Sequence, residues 1–344
     1  MKLNSAAYLT VLLIGIVYVL IIGQSIIIPL VLAVLIWFLV KELRNLIQKI
    51  PFLGKRMPKW LLNTISVTIL YIVVGVIVNL LVKNIDDLVG NMATYEKSMD
   101  TYINKINVQF GINLKKELTH ILGEMDFAKF LSDFLSSITG LLGNTFMIAL
   151  YLLFILLEET VLNGKILAVF HGPERKKEVQ ETLSKISDSI SSYISLKTLV
   201  SLLTGGLSYI ILAIIGIDSP LFWAFLIFLL NFIPTIGSLI ATIFPALMAL
   251  LQFTDLNMAI IVLVAVGAVQ VIVGNIVEPK VMGNSLNVSS LVVILALSFW
   301  GAIWGITGMV LSVPITVILI ILFGQFESTK NIAILLSEKG DIGK

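Results

Sequence analysis

No cysteine occurs in the 344 residues, and histidine appears only at His120 and His171. The first absence excludes disulfides, thiolate metal sites and cysteine nucleophiles, and the second leaves no basis for a multi-histidine metal centre. Charge is scarce too: 13% of residues are charged and 58% hydrophobic, with a mean hydropathy of +1.03. A soluble domain carries about 25% charged and roughly 45–50% apolar residues. The apolar excess needs lipid as its solvent, so the expected fold class is an all-α polytopic membrane protein. A net charge of +2 gives no electrostatic footprint for nucleic acid. The sequence has no nucleophile–base–orienter set, glycine-rich phosphate loop or His-Glu-x-x-His motif. An enzyme is therefore not expected, nor any cofactor.

Long apolar runs supply what is present. A helix crossing the ~30 Å hydrocarbon core needs about 20 apolar residues. Residues 61–82, 138–157, 198–217 and 258–274 each meet this. Two opening runs, 6–22 and 26–40, are shorter; Gly23-Gln24-Ser25 joins them, and they read as a hairpin. Lys2 precedes the first run, but no small-x-small cleavage site follows it, so it reads as a retained helix and not a leader.

Two further runs are too long. Residues 221–252 and 288–323 number 32 and 36, which as single helices would reach about 48 and 54 Å. The first contains Asn231-Phe-Ile-Pro234-Thr235-Ile-Gly237-Ser238 and then Pro245; the second contains Gly301, Gly305, Gly308 and Pro314. Unwound backbone at membrane depth is tolerated only inside protein or against a cavity, and paired broken segments point to a transporter's binding site. Either run alone is equally served by a tilted or kinked helix; the two together favour the functional reading.

Polar segments divide the spans. The basic loop 41–60 holds six Lys or Arg against Glu42 alone, which places it and the amino terminus in the cytoplasm. Residues 83–137 then form an extracytoplasmic insert whose apolar positions recur at helical spacing. Residues 158–197 return inside, with an amphipathic helix after Pro173 that leads into the next span. The core runs from 198 to 323; whether its two long runs each cross once or fold back as re-entrant hairpins, the tail 324–344 ends inside by parity, while the side of the 274–287 loop differs between the two.

Only four charged residues lie in that core: Asp218, Asp255, Glu278 and Lys280. The first two sit in turn-like sequence and read as solvated loop acids. Glu278 and Lys280 follow Gln270 and Asn275 in a mostly apolar stretch, and Pro279 and Gly283 are expected to break the helix there. On a regular helix, 271, 275 and 278 line one face with Gln270 beside it. An ionisable group at membrane depth costs about 2.5–3.5 kcal/mol on insertion scales and usually marks a pathway. The alternative is an interfacial loop with a Glu–Lys contact in water. Ser201, Thr204, Gly205, Gly206 and Ser208 form a small-residue face that suits helix packing. Glu158-Glu159 closes a span and needs no chemistry.

Three motifs carry a resemblance: Asn231 to Ser238 as quoted above; Gly274-Asn-Ile-Val-Glu-Pro-Lys-Val-Met-Gly283; and the stretch from Leu291 through Phe299-Trp300-Gly301 to Gly308-Met-Val-Leu-Ser-Val-Pro314. In this order and spacing they resemble the autoinducer-2 exporter family of bacterial membrane proteins, over essentially the whole chain. The resemblance implies about eight membrane-embedded segments, a homo-oligomer of pentameric type, the cytoplasmic (inner) membrane, and export of a small polar furanone-type quorum-sensing signal. It also implies a rival, Na⁺(Li⁺)/H⁺ antiport, since both activities are ascribed to the family.

The reading is a secondary exporter, with solute contacts at Asn231, Pro234, Thr235, Gly237, Ser238, Gln270, Asn275, Glu278 and Lys280, between the two broken segments. Glu278 is the expected proton-coupling group. Pro279, Gly283, Gly301, Gly305, Gly308 and Pro314 are expected to hinge or pack the helices. Expected partners are the bilayer, the solute and a proton or cation gradient. A membrane scaffold that recruits partners through the insert is the remaining alternative.

Overall fold

The computed structural model describes residues 3–50, 57–111, 145–282 and 287–340, and every regular element among them is helical. In chain order these are α1 (Leu3–Ile22), α2 (Gln24–Gln48), α3 (Lys59–Gly90), α4 (Met92–Phe110), α5 (Thr145–Val169), α6 (Pro173–Ile215), α7 (Pro220–Leu230), α8 (Ile236–Phe253), α9 (Leu256–Ile272), a wide π-type turn (Val273–Val277), α10 (Glu278–Met282), α11 (Ser290–Gly324) and α12 (Lys330–Leu336). Six stretches among the described residues are long and apolar enough to cross a bilayer: Gln24–Gln48, Trp60–Ile85, Pro173–Ile215, Ile236–Phe253, Leu256–Met282 and Ser290–Gly324. The chain is an all-α, multi-pass membrane protein.

Two compact units share it. One comprises Met1–Ile69, Asn144–Lys197 and Met282–Lys344; the other comprises Leu70–Gly143 and Thr198–Val281. The division cuts across the expected core at 198–323, because the two broken runs fall in different units.

In the first unit, the link expected at Gly23-Gln24-Ser25 is a bend at Gly23 alone. Its torsions are φ −79° and ψ 3°. Its N–H still bonds the Val19 carbonyl at 2.8 Å, and Ile27 N–H bonds the Gly23 carbonyl at 2.9 Å, so helical bonding runs through the joint. Arg44 fastens α2 to its neighbours. It meets both Glu159 carboxylate oxygens, at 2.6 and 3.1 Å, and the Asn63 side-chain oxygen at 2.7 Å. Phe38, Ile190, Tyr193, Ile194, Val313 and Val317 form the main core. The tail helix α12 closes back on it, with Ser289 N–H bonding the Leu336 carbonyl at 3.0 Å.

The second broken run belongs to this unit and folds back on itself. Gly305 has φ 61° and ψ −141°, inside an otherwise helical α11. The backbone of Gly308 lies so close to the Trp300 carbonyl that a Cβ would collide with it, and the Met309 side chain covers Gly301. Residues eight apart on a straight helix are about 12 Å apart, so α11 is two arms of a hairpin. Pro314 lies buried within the second arm, and the reversal is at Gly305. Trp300 and Trp304 pack 5.0 Å apart, and Trp304 Nε1–H bonds the Leu20 carbonyl at 3.0 Å.

The second unit holds the first broken run, which also reverses. α7 has 11 residues, about 17 Å, too short to cross. The Leu230 carbonyl lies against the backbone of Gly237 and leaves no space for a side chain. At the base of this α7–α8 hairpin, Gln252 accepts from the Asp218 N–H and donates to the Gly216 carbonyl, both at 2.8 Å. Asp218 is no solvated loop acid. It accepts the Tyr95 hydroxyl of α4 at 2.7 Å, and its carbonyl takes the Trp223 indole N–H at 3.1 Å. Burial pushes the Tyr95 phenol up, and the Asp218 carboxylate pushes it further. The insert is thus stapled to the hairpin base through α4; residues 112–137 of it lie outside the described residues, as do 138–144 of the following span.

Candidate functional site

Every solute contact proposed from sequence lies in the second unit. The first group surrounds the hairpin tip. α7 ends at Leu230, and beyond it Pro234 has no N–H and disfavours helical torsions at Ile233, so the helix does not resume before the tip. The chain then reverses through a γ-turn: Ile236 N–H bonds the Pro234 carbonyl at 2.6 Å across Thr235, which has φ 62° and ψ −58°. This left-handed form is rare and strained, and for a β-branched residue it is an outlier. Thr235 is exposed, Ser238 half-buried and Gly237 buried. Ser238 hydroxyl donates to the Thr235 carbonyl at 2.9 Å.

Asn231 is placed differently from its neighbours. It is buried, and its amide nitrogen donates to the Ser201 hydroxyl of α6 at 3.0 Å. Gly205, one turn on, admits the Ala224 carbonyl and Phe228 of α7. Asn231 therefore pins the hairpin tip against α6. Ser201, Thr204 and Ser208 are all buried along that face, and the Ser208 hydroxyl has no hydrogen-bond partner. Lys197 is buried too, 5% exposed and one turn before Ser201. Sequence reading passed over Lys197 because it closes a polar segment; the spacing 197, 201, 204, 208 was the available signal.

The second group lies on α9 and its extension. An apolar groove between α8 and α9 is lined by Ile243, Ala246 and Leu250 on one side and Leu256, Ala259 and Leu263 on the other. The space beside Gly267 is bounded by the Thr242 methyl. The helices therefore run antiparallel, in a register that sets Ser238 level with Gln270 and Thr235 level with Val273. The strained tip and the wide turn at Val273–Val277 occupy one level of the pair.

That wide turn alters the expected face. Gln270 is buried, with an unpartnered amide nitrogen, while Asn275 is exposed and Glu278 half-buried. A π-type turn carries an extra residue, so the regular spacing that put 271, 275 and 278 on one face with Gln270 beside it does not hold across it. Pro279 does not end the helix: α10 continues through it to Met282. Pro279 and Lys280 are exposed, and Gly283 lies outside the described residues. Glu278 is about 33 Å along from Leu256, toward the end of the span.

The model of the AI-2E family transporters matches residues 9–328. The chain belongs to the AI-2E family of transporters. The AI-2 transport protein TqsA of Escherichia coli K12 is 32% identical over 320 residues, covering 92% of this chain and 90% of that one. A Haemophilus influenzae protein named as a candidate transport protein is 30% identical, covering 83% and 84% of the two chains. A Borreliella burgdorferi protein named likewise is 34% identical, covering 63% and 61%. The protein is a membrane transporter and not an enzyme, and the helices above are the scaffold on which this transporter moves its solute.

Proposed function

We propose that this transporter exports a small polar solute, autoinducer-2, across the bacterial cytoplasmic membrane as a homo-oligomer. One observation carries the reading. Two backbone irregularities, the γ-turn at Thr235 and the wide turn at Val273–Val277, fall level by the register of α8 and α9 in membrane-embedded helices, and Ser238, Gln270 and Asn275 lie in or within a turn of them along the chain. Polar backbone freed at that depth needs a partner, and a solute can supply it. The name of TqsA supports autoinducer-2 as the solute. Glu278, half-buried beyond the wide turn, is the group we assign to proton coupling, and the exposed Lys280 follows two residues on.

The test is uptake of labelled autoinducer-2 by proteoliposomes, with and without an imposed pH gradient. Gradient-dependent uptake that Glu278→Gln abolishes, with folding intact, is the expected result. Uptake by Glu278→Gln with normal pH dependence removes that residue from coupling. Vesicles that exchange Na⁺ for protons but take up no autoinducer-2 replace export by antiport.

A further inference from the structure

We infer that the main-chain carbonyl of Gly274 is a binding group of this transporter, the acceptor for a hydroxyl of its solute. The inference rests on the transport reading above and names a subsite within it. In an α-helix the Gly274 carbonyl would accept from the N–H of residue 278. Here Glu278 N–H reaches past it to the Val273 carbonyl. The donor a π-type helix would supply instead is residue 279, and that is Pro279, which has none. Gly274 therefore loses both helical donors at once, through one wide turn and one proline.

Three further facts make that carbonyl usable. Gly274 is half-buried, and nothing lies within 4 Å of where its side chain would be. Asn275, beside it, is exposed, and Glu278 follows on the next turn. The register of α8 and α9 sets the strained Thr235 level with this turn. A carbonyl without a donor is disfavoured in hydrocarbon unless it faces protein or a wet path, and a hydroxylated solute on that path satisfies it. A cation would also be drawn to a carbonyl and a carboxylate, so the experiment separates the two.

The test is Pro279→Ala, which returns an N–H to the turn, assayed by autoinducer-2 uptake in proteoliposomes at several Na⁺ concentrations. The expected result is a KM raised about three- to tenfold, the range of one neutral hydrogen bond, with kcat held. Val281→Ala, at an exposed position of the same short helix α10, leaves the backbone donors unchanged and controls for disturbance of the helix. An unchanged KM in a folded Pro279→Ala protein overturns the assignment. A shift that appears only with Na⁺ overturns it in favour of a cation. Should the wild type take up no autoinducer-2, the export reading fails, and the subsite is read from thermal stabilisation by glycerol, erythritol and ribose. Stabilisation of the wild type that Pro279→Ala loses sustains the subsite; equal or no stabilisation of both proteins refutes it.

Discussion

Thr235 concentrates the chemistry of the hairpin tip in one residue. A β-branched side chain at φ 62° costs on the order of 1–3 kcal/mol, and such strain collects where function over-determines the backbone. Thr235→Gly should therefore raise the thermal unfolding midpoint while lowering solute uptake, because it removes both the strain and the hydroxyl. A variant that loses stability would show that the turn is not strained. Elsewhere the decisive residues are paired across long sequence distances. Glu159 lies just beyond the apolar run 138–157. Burial raises its carboxyl, but Arg44, Trp37 and the Lys41 charge together outweigh it, so the group stays below the ordinary carboxylate range. The stability it contributes is thus present above about pH 4.3 and fades as pH falls through its lowered value. Glu159→Gln should cost about 1–3 kcal/mol at neutral pH, and the difference from wild type in a thermal melt should shrink in acid. Pro234 and Gly237 stood out in the sequence because they interrupt an apolar run. The partners Ser201 for Asn231, Tyr95 for Asp218 and Arg44 for Glu159 did not, since no local pattern links them.

At the scale of elements, the two long runs were legible as broken, but their reversal was not. Composition shows a helix-breaking residue; only torsions such as those of Gly305 show which way the chain leaves it. Both reversals use a glycine packed on a carbonyl from the preceding arm: Gly237 on Leu230 and Gly308 on Trp300. Gly237→Ala and Gly308→Ala should each destabilise the protein by about 1–3 kcal/mol through overpacking. Gly206→Ala, which meets no atom, should leave the melting temperature in place or raise it slightly by helix propensity. Equal melting for all three would mean that the hairpins open to accept a side chain. The wide turn at Val273–Val277 was invisible for another reason. Reading 271, 275 and 278 as one face with Gln270 beside it assumes regular spacing, and one extra residue in the turn removes that assumption. Pro279, expected to break the helix, is instead tolerated because the turn before it has already redirected the hydrogen bonds.

For the molecule as a whole, fold-back decides a parity that composition leaves open. With the basic loop 41–60 in the cytoplasm, α3 leads out, α5 returns and α6 leads out again. A single bent span would carry 221–252 back across. A hairpin with an 11-residue first arm returns to the side it came from, and α9 then makes the next crossing. On this topology we expect Asp218 and Asp255 outside, where the insert meets the hairpin base, and Glu278 and Lys280 inside. Absence of native cysteine makes this directly measurable in Asp255→Cys and Lys280→Cys single variants. In intact cells an impermeant maleimide should label the first and spare the second until the membrane is opened. The reverse pattern would mean that α7 and α8 together cross the bilayer. The hairpin tip would then not be a re-entrant element, and the level shared by Thr235 and the wide turn would lose its meaning as a solute site.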